Sequence, residues 1–357
     1  MPVSLHTHSW YSLLEGASSL ASLLERAAAS GYAALALTDT NNLYGAVAFM
    51  EEAQRFGVRP LLGACLRQKQ MHCVALIAEP AGYRSLCRIL SRLHLAGKTA
   101  RLEDLLADNA TGLHVLVENQ DLAKRLRDAF GRRLWLEIVR PARAAHREQE
   151  LLSFGRQLDL KPVASTAAHF AGPEDYASFR VVTAVSRGTL LDQLPPSLGI
   201  TAGHHLADAT ALRRRFHDLP EALHNAEALA ELLQSYVLPR DVILPRPRLP
   251  RHHGAGAYLQ MLCERGLRRR ELGDSLAARQ RLREELSVIE AGELAPYFLI
   301  VRDIARYARR RGHNMALRGS AGNSLVCHLL EITDVNPLHF GLPLERFLHP
   351  GDRKSVV

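Results

Sequence analysis

Two stretches of this 357-residue chain hold residue types that could do chemistry. The first is His6-Thr7-His8. On a strand, residues i and i+2 project to the same side, so both imidazoles can meet one ion. Glu15 and Asp39 could add oxygen ligands, and a mixed nitrogen and oxygen set suits Zn, Mn or Fe. A surface pair among 17 histidines is the plainer alternative. Asp39 precedes Thr40-Asn41-Asn42, where a carboxylate serves equally well as a helix cap. His169 follows KPVAST and precedes Gly172-Pro173, a strand-end position that suits either a site or an ordinary loop. The second stretch is Arg318-Gly319-Ser320-Ala321-Gly322-Asn323-Ser324, ahead of the apolar run LVCHLLEI. Backbone amides of a small-residue loop at a helix N-terminus, with hydroxyls and an arginine, form a natural phosphate cradle. The loop lacks the G-K-[ST] of a Walker sequence. Arg309, Arg310, Arg311 and His313 precede it and favour an anion, although a solvated arginine-rich helix end is common without one.

The elements that must carry these residues divide the chain in two. Short apolar runs occupy 2–6, 33–39, 59–65, 72–79, 113–118, 134–139 and 161–166, mostly with helical patterns between them. In 19–31, Leu20, Leu23, Leu24 and Ala27 form an i, i+3, i+4, i+7 stripe that Gly31 can close. Such alternation predicts parallel strands with helical crossovers, a barrel or a doubly wound sheet. His6, His8, Asp39, Cys65 and His169 recur at or just past the strand ends, which favours a barrel, because barrel enzymes build their sites on that rim. Prolines then accumulate between about 186 and 256, around one helical piece at 219–234, and the basic stretch VILPRPRLPRHHGAG reads as an extended linker. Helical patterns follow over 257–270, 279–292 and 297–312. The expected organisation is a barrel over 1–240, a Pro/Arg-rich linker over 241–256 and a helical region over 257–357.

Composition narrows the classes. Forty-five Lys and Arg against 37 Asp and Glu leave a net charge of +8, which favours an anionic partner, nucleic acid being the usual one. The five cysteines form no C-x-x-C pair, which argues against a disulfide framework and for a reducing cytoplasm. They read as small buried hydrophobes. No G-x-S-x-G is present and no cysteine has an evident base, so no covalent nucleophile is expected. MPVSLHTHSW lacks the charged and apolar regions of a signal peptide, and no apolar run approaches the ~20 residues of a membrane span. The expectation is a cytoplasmic protein without a membrane partner.

LHTHSWYSLLEGASS, ALALTDTNNLYGAVAF and GVRPLLGA together resemble the polymerase-and-histidinol-phosphatase (PHP) domain that opens the bacterial DNA polymerase III alpha subunit. LPEALHNA, AYLQMLCERGLRRR, APYFLIVRDIARYARRRG, LRGSAGNSLVCHLLEITDVNPLHFGL and LERFLHP resemble the same subunit, in order, at its palm and thumb. The resemblance covers nearly the whole chain, and the asparagine of A-G-N-S is similar to error-prone relatives.

The resemblance implies an α/β fold: a PHP-type distorted (βα) barrel, then a mainly helical α/β region leading into the polymerase palm and thumb. It implies a DNA-directed DNA polymerase, a nucleotidyltransferase of replication or of translesion and repair synthesis. Primer–template DNA and dNTP would be its substrates, Mg its metal for polymerisation, and the sliding clamp and other polymerase subunits its partners. His6, His8, Glu15, Asp39 and His169 match PHP metal-site positions. Thr40, Cys65 and Ala167 stand where a histidine, a glutamate and an aspartate are expected, so the barrel site is expected to be degenerate, with Zn or Mn weak or absent and little hydrolysis. Arg318, Gly319, Ser320 and Ser324 match a nucleotide-binding turn. The family's P-D-x-D-x-D does not follow LERFLHP, so no catalytic residue is assigned, and the chain is expected to be a truncated portion inactive alone. A stand-alone PHP-type metal-dependent phosphoesterase is the alternative.

Overall fold

The computed structural model describes residues 1–95, 100–140, 145–195, 199–235, 237–239, 245–250 and 252–348. The chain forms two compact units, Met1–Arg240 and Asp241–Val357. Parts of the proline-rich segment (241–244 and 251) and the tail from 349, Asp352 included, lie outside the described residues.

The first unit is built on seven strands in sequence order: β1 (Val3–Ser4), β2 (Ala34–Leu37), β3 (Arg59–Gln68), β4 (Met71–Ile77), β5 (Leu113–Val117), β6 (Leu134–Val139) and β7 (Pro162–Ser165). Just past β1 and β7, Thr7 bridges Ala168 in parallel, His8 N–H donates to Ala168 O at 2.7 Å, and Ala168 N–H donates to His6 O at 3.1 Å. Those bonds join the first strand to the last and close the sheet into a barrel. Its strands are parallel except β4, which runs against both β3 and β5. Only Lys69 and Gln70 separate β3 from β4, and a two-residue connection can make a hairpin but never a parallel crossover. Lys69 takes the positive φ of 55° that the tight turn needs. Here the structure departs from the strand–helix alternation.

From β2 to β7 both faces of the strands are mostly buried, as a helix-wrapped barrel requires. One set of side chains, including Leu61, Val74, Leu76 and Leu116, fills the interior together with Ala226, Leu229 and Ala230 of the helix Pro220–Leu232. That helix closes the end where β3 and β7 begin: Asn225 reaches Pro162 O, and Arg59 reaches Ala230 O and Leu233 O. The alternate set packs on surrounding helices such as Leu20–Ala29, where Leu20, Leu23, Leu24 and Ala27 are all buried. With one end plugged by apolar side chains, polar residues converge at the other.

The second unit packs the helices Ala255–Arg269, Leu276–Ala291 and Ala295–Arg310 around a short buried helix, Leu325–Leu329. Its described residues contain no strand. Among the described residues no helix is long and apolar enough to cross a membrane.

Candidate functional site

The open rim of the barrel holds a cleft of about 640 Å³ lined by His6, His8, Cys65, Glu137 and His169, with Arg67 and Arg147 at its walls. His6 and His8 leave β1 on the same side, and their Nε2 atoms face each other at 2.9 Å. His6 Nδ1–H donates to Glu137 Oε1 at 2.7 Å, which turns the Nε2 lone pair inward. His8 Nδ1 lies 3.0 Å from Ser12 Oγ, and its ring stacks on His169 at 4.3 Å. His169 donates through Nδ1 to the Glu15 carbonyl at 2.9 Å.

Among the three rim histidines, His6 is the one whose charged form is favoured. Burial opposes its protonation, but the Glu137 carboxylate and the Cys65 thiol beside it raise its pKa to about 10. Burial and then the neighbouring imidazoles push His8 well down, and burial brings His169 to about 3.

The two carboxylates expected beside these histidines are engaged elsewhere. Asp39 is buried and accepts from Ser9 N–H at 2.7 Å, Ser9 Oγ at 2.9 Å and Ser12 Oγ at 2.6 Å. Burial raises its pKa, while these same donors pull it back. Glu15 pairs with Arg67 at 2.6 Å and accepts from Thr40 Oγ1 at 2.7 Å. Both carboxylates tie down the loop after β1. The structure brings His6, His8 and His169 together at the cleft and keeps Asp39 and Glu15 out of its lining.

One residue already placed on the rim gains close neighbours here, and one residue joins that spacing did not reveal. Cys65, counted above with the lost ligands, lies with its thiol and the His6 and His8 ring nitrogens all within 4.8 Å of one another. Glu137 hid inside the apolar run LWLEIV; a carboxylate in a fully buried strand needs a partner, and that was its signal.

In the second unit, Arg318, Gly319 and Ser320 are exposed, and Gly319 has a φ of 101° that only glycine adopts without strain. Ser324 is separated from them by burial. Its Oγ donates to Glu285 Oε2 at 2.7 Å. The amides of Leu325 and Val326 donate to the same carboxylate at 2.8 and 3.0 Å. The short helix Leu325–Leu329 thus has its N-terminus filled by an internal anion. Arg281 completes the brace, bonding Glu285 at 2.8 Å and the carbonyls of Asn323 and Leu342. The exposed part of the loop is the turn at Arg318-Gly319-Ser320.

Residues 4–125 match the PHP domain, and residues 257–356 match the bacterial DNA polymerase III alpha NTPase domain. A barrel that matches the PHP domain is therefore followed on one chain by a segment that matches the polymerase III alpha NTPase domain. Over these residues the chain is similar to the bacterial DNA polymerase III alpha family. It is 32% identical to an error-prone DNA polymerase of Symbiobacterium thermophilum, over 97% of this chain and 36% of that relative. It is 28% identical to a DNA polymerase III subunit alpha of Borreliella burgdorferi, over 98% of this chain and 34% of that relative. The chain thus spans about a third of the length of the curated relatives it matches. A solved structure described as a putative metal-dependent phosphoesterase from Bifidobacterium adolescentis is similar at 16% identity and a TM-score of 0.35, covering 61% of this chain and 97% of that one.

Proposed function

We propose that the chain is the N-terminal portion of a DNA-directed DNA polymerase III alpha subunit, a nucleotidyltransferase of DNA replication or of translesion and repair synthesis. The observation that carries this reading is the similarity to named DNA polymerases across 97% of the chain, through both units in one order. A primer–template and dNTP are its substrates, and a sliding clamp and other polymerase subunits its partners, in the cytoplasm. The net charge of +8 agrees with a polyanionic partner. A stand-alone phosphoesterase would leave the second unit and its loop without a use.

In this reading the exposed Arg318-Gly319-Ser320 turn holds phosphate oxygens of the incoming nucleotide, the guanidinium and hydroxyl donating to them. Ser324 acts behind that turn, through Glu285, to fix the loop. The magnesium ions of phosphoryl transfer need closely spaced carboxylates. The 357 residues contain no D-x-D, and Asp334 faces Arg270 at 3.8 Å and Arg309 at 3.7 Å. These residues do not fit a two-ion platform. The purified chain is expected to bind a labelled dNTP without extending a primer in Mg. Arg318→Ala with Ser320→Ala should weaken that binding by about tenfold or more, the worth of one charge-assisted hydrogen bond. Unchanged affinity would remove the assignment of the turn, and Mg-dependent extension would refute the inactivity.

A further inference from the structure

We propose that Cys65 is a thiolate ligand which, with His6 and His8, makes the barrel rim a single-ion, sulfur-containing centre for a soft divalent cation. The PHP resemblance places a carboxylate at this position, and nothing in the relatives' names points to sulfur. The inference concerns the barrel alone and stands whether or not the chain takes part in polymerisation.

Geometry supports it first. The three donor atoms lie within 4.8 Å of one another and all three residues are buried. A tetrahedral zinc places two nitrogen ligands about 3.3 Å apart and a nitrogen and a sulfur about 3.6 Å apart. His6 and His8 Nε2, now at 2.9 Å, need to part by only a few tenths of an ångström. Register settles the direction of the thiol: Cys65 lies opposite Val74, whose side chain is interior, and it lines the rim cleft. Cys73 lies opposite Leu66 and packs on the outer face instead.

The surroundings of the donors support it next. His6 is oriented by a buried carboxylate at Nδ1, the arrangement that fixes a metal-binding imidazole with Nε2 forward. Hydroxyls of Ser12 and Thr40 lie behind His8 Nδ1 at 3.0 and 3.4 Å, so its Nε2 also points inward. The nearby oxygen donors Asp39 and Glu15 are engaged by the chain's own hydroxyl, amide and guanidinium groups. The donors gathered within reach of one ion are two imidazoles and a thiol, a set that selects zinc or cobalt over magnesium or manganese. Binding would release the protons held on these donors to solvent, with the thiol bound as thiolate. A fourth position opens to the cleft.

The test uses the full chain, stripped with chelator and titrated with cobalt(II) under reducing conditions. The expected result is saturation at one ion per chain, with the visible bands of a tetrahedral site and a near-ultraviolet thiolate-to-cobalt charge-transfer band. Cys65→Ser should lose the charge-transfer band, and Cys73→Ser should keep it. Cys65→Glu, which restores an oxygen donor, should bind cobalt without that band, and so separates loss of the ligand from loss of the fold. A charge-transfer band that survives in Cys65→Ser, cobalt bound by the parent chain with no such band, or no cobalt bound at stoichiometric concentration would each overturn the assignment.

Discussion

Replacing Glu285 should loosen the loop between Arg318 and Ser324 without touching its surface. The Glu285 carboxylate is fully buried and accepts from Ser324 Oγ, Leu325 N–H, Val326 N–H and Arg281 Nε. Glu285→Ala leaves two amides and one hydroxyl inside the unit without an acceptor. Each orphaned buried donor costs about 1–3 kcal/mol, and removing one partner of a buried ion pair costs about 3–5 kcal/mol. These costs share the same atoms and do not add, so the expected loss is about 3–5 kcal/mol for Glu285→Ala. Glu285→Gln keeps the shape but turns an NH2 toward donors, for an expected loss of about 2–3 kcal/mol. Tryptophan fluorescence is the wrong probe, because Trp10 and Trp135 both lie in the first unit. Hydrogen exchange at Leu325 and Val326 reads the brace directly, and helical circular dichroism in urea reads the whole molecule. Combining Glu285→Ala with Ser324→Ala should cost less than the sum of the two, because they share one bond. Unchanged exchange at those two amides, or a loss under about 1 kcal/mol in Glu285→Ala, would refute the account of how this helix end is neutralised.

Two other outcomes follow from buried contacts. Burial and then Arg133 lower His114 to about 4, and its neutral Nδ1 accepts from the Trp135 indole at 3.0 Å. An unfolded histidine protonates near 6.5, so this contribution to stability is whole above that pH, declines toward pH 4 and stays lost below it. An NMR titration of the His114 ring with a midpoint near 6.5 would contradict this. Gly266→Ala should destabilise the second unit by about 1–3 kcal/mol despite the better helix propensity of alanine. The added Cβ would sit 2.6 Å from Leu329 O and 2.8 Å from Leu329 Cβ. A variant that unfolds at higher urea than the parent would show that the crossing has room.

The barrel and its rim were legible to the extent that they are local. An i, i+2 histidine pair after a short apolar run carries its geometry in its spacing, and both imidazoles do face one point. The contacts that decide the chemistry are long-range. His6 and Glu137 are 131 residues apart, and Ser324 and Glu285 are 39 apart, so no window of sequence joins them. The β3–β4 reversal was also hidden, because Lys69-Gln70 is not a glycine- or asparagine-marked turn. Asp39 and Glu15 illustrate a different limit. A carboxylate at a strand end can take a cation or a neighbouring hydroxyl and amide, and residue type alone does not distinguish the two.

That ambiguity resolves in the same direction in both units. Asp39 accepts three hydrogen bonds from the loop after β1, Glu15 holds Arg67 and Thr40, and Glu285 fills the helix end behind the Arg318 turn. A carboxylate so engaged can take a cation only by orphaning the donors that now surround it, at about 1–3 kcal/mol for each buried one. Asp39 and Glu15 are therefore poor ready ligands for a hard, oxygen-seeking cation, whereas the facing nitrogens of His6 and His8 and the thiol of Cys65 have no such cost beyond their protons. The exchange of a carboxylate for Cys65 then shifts the rim toward a zinc-like ion. Asp39 and Glu15 could serve a multi-ion hydrolytic centre only by releasing the loop they now hold.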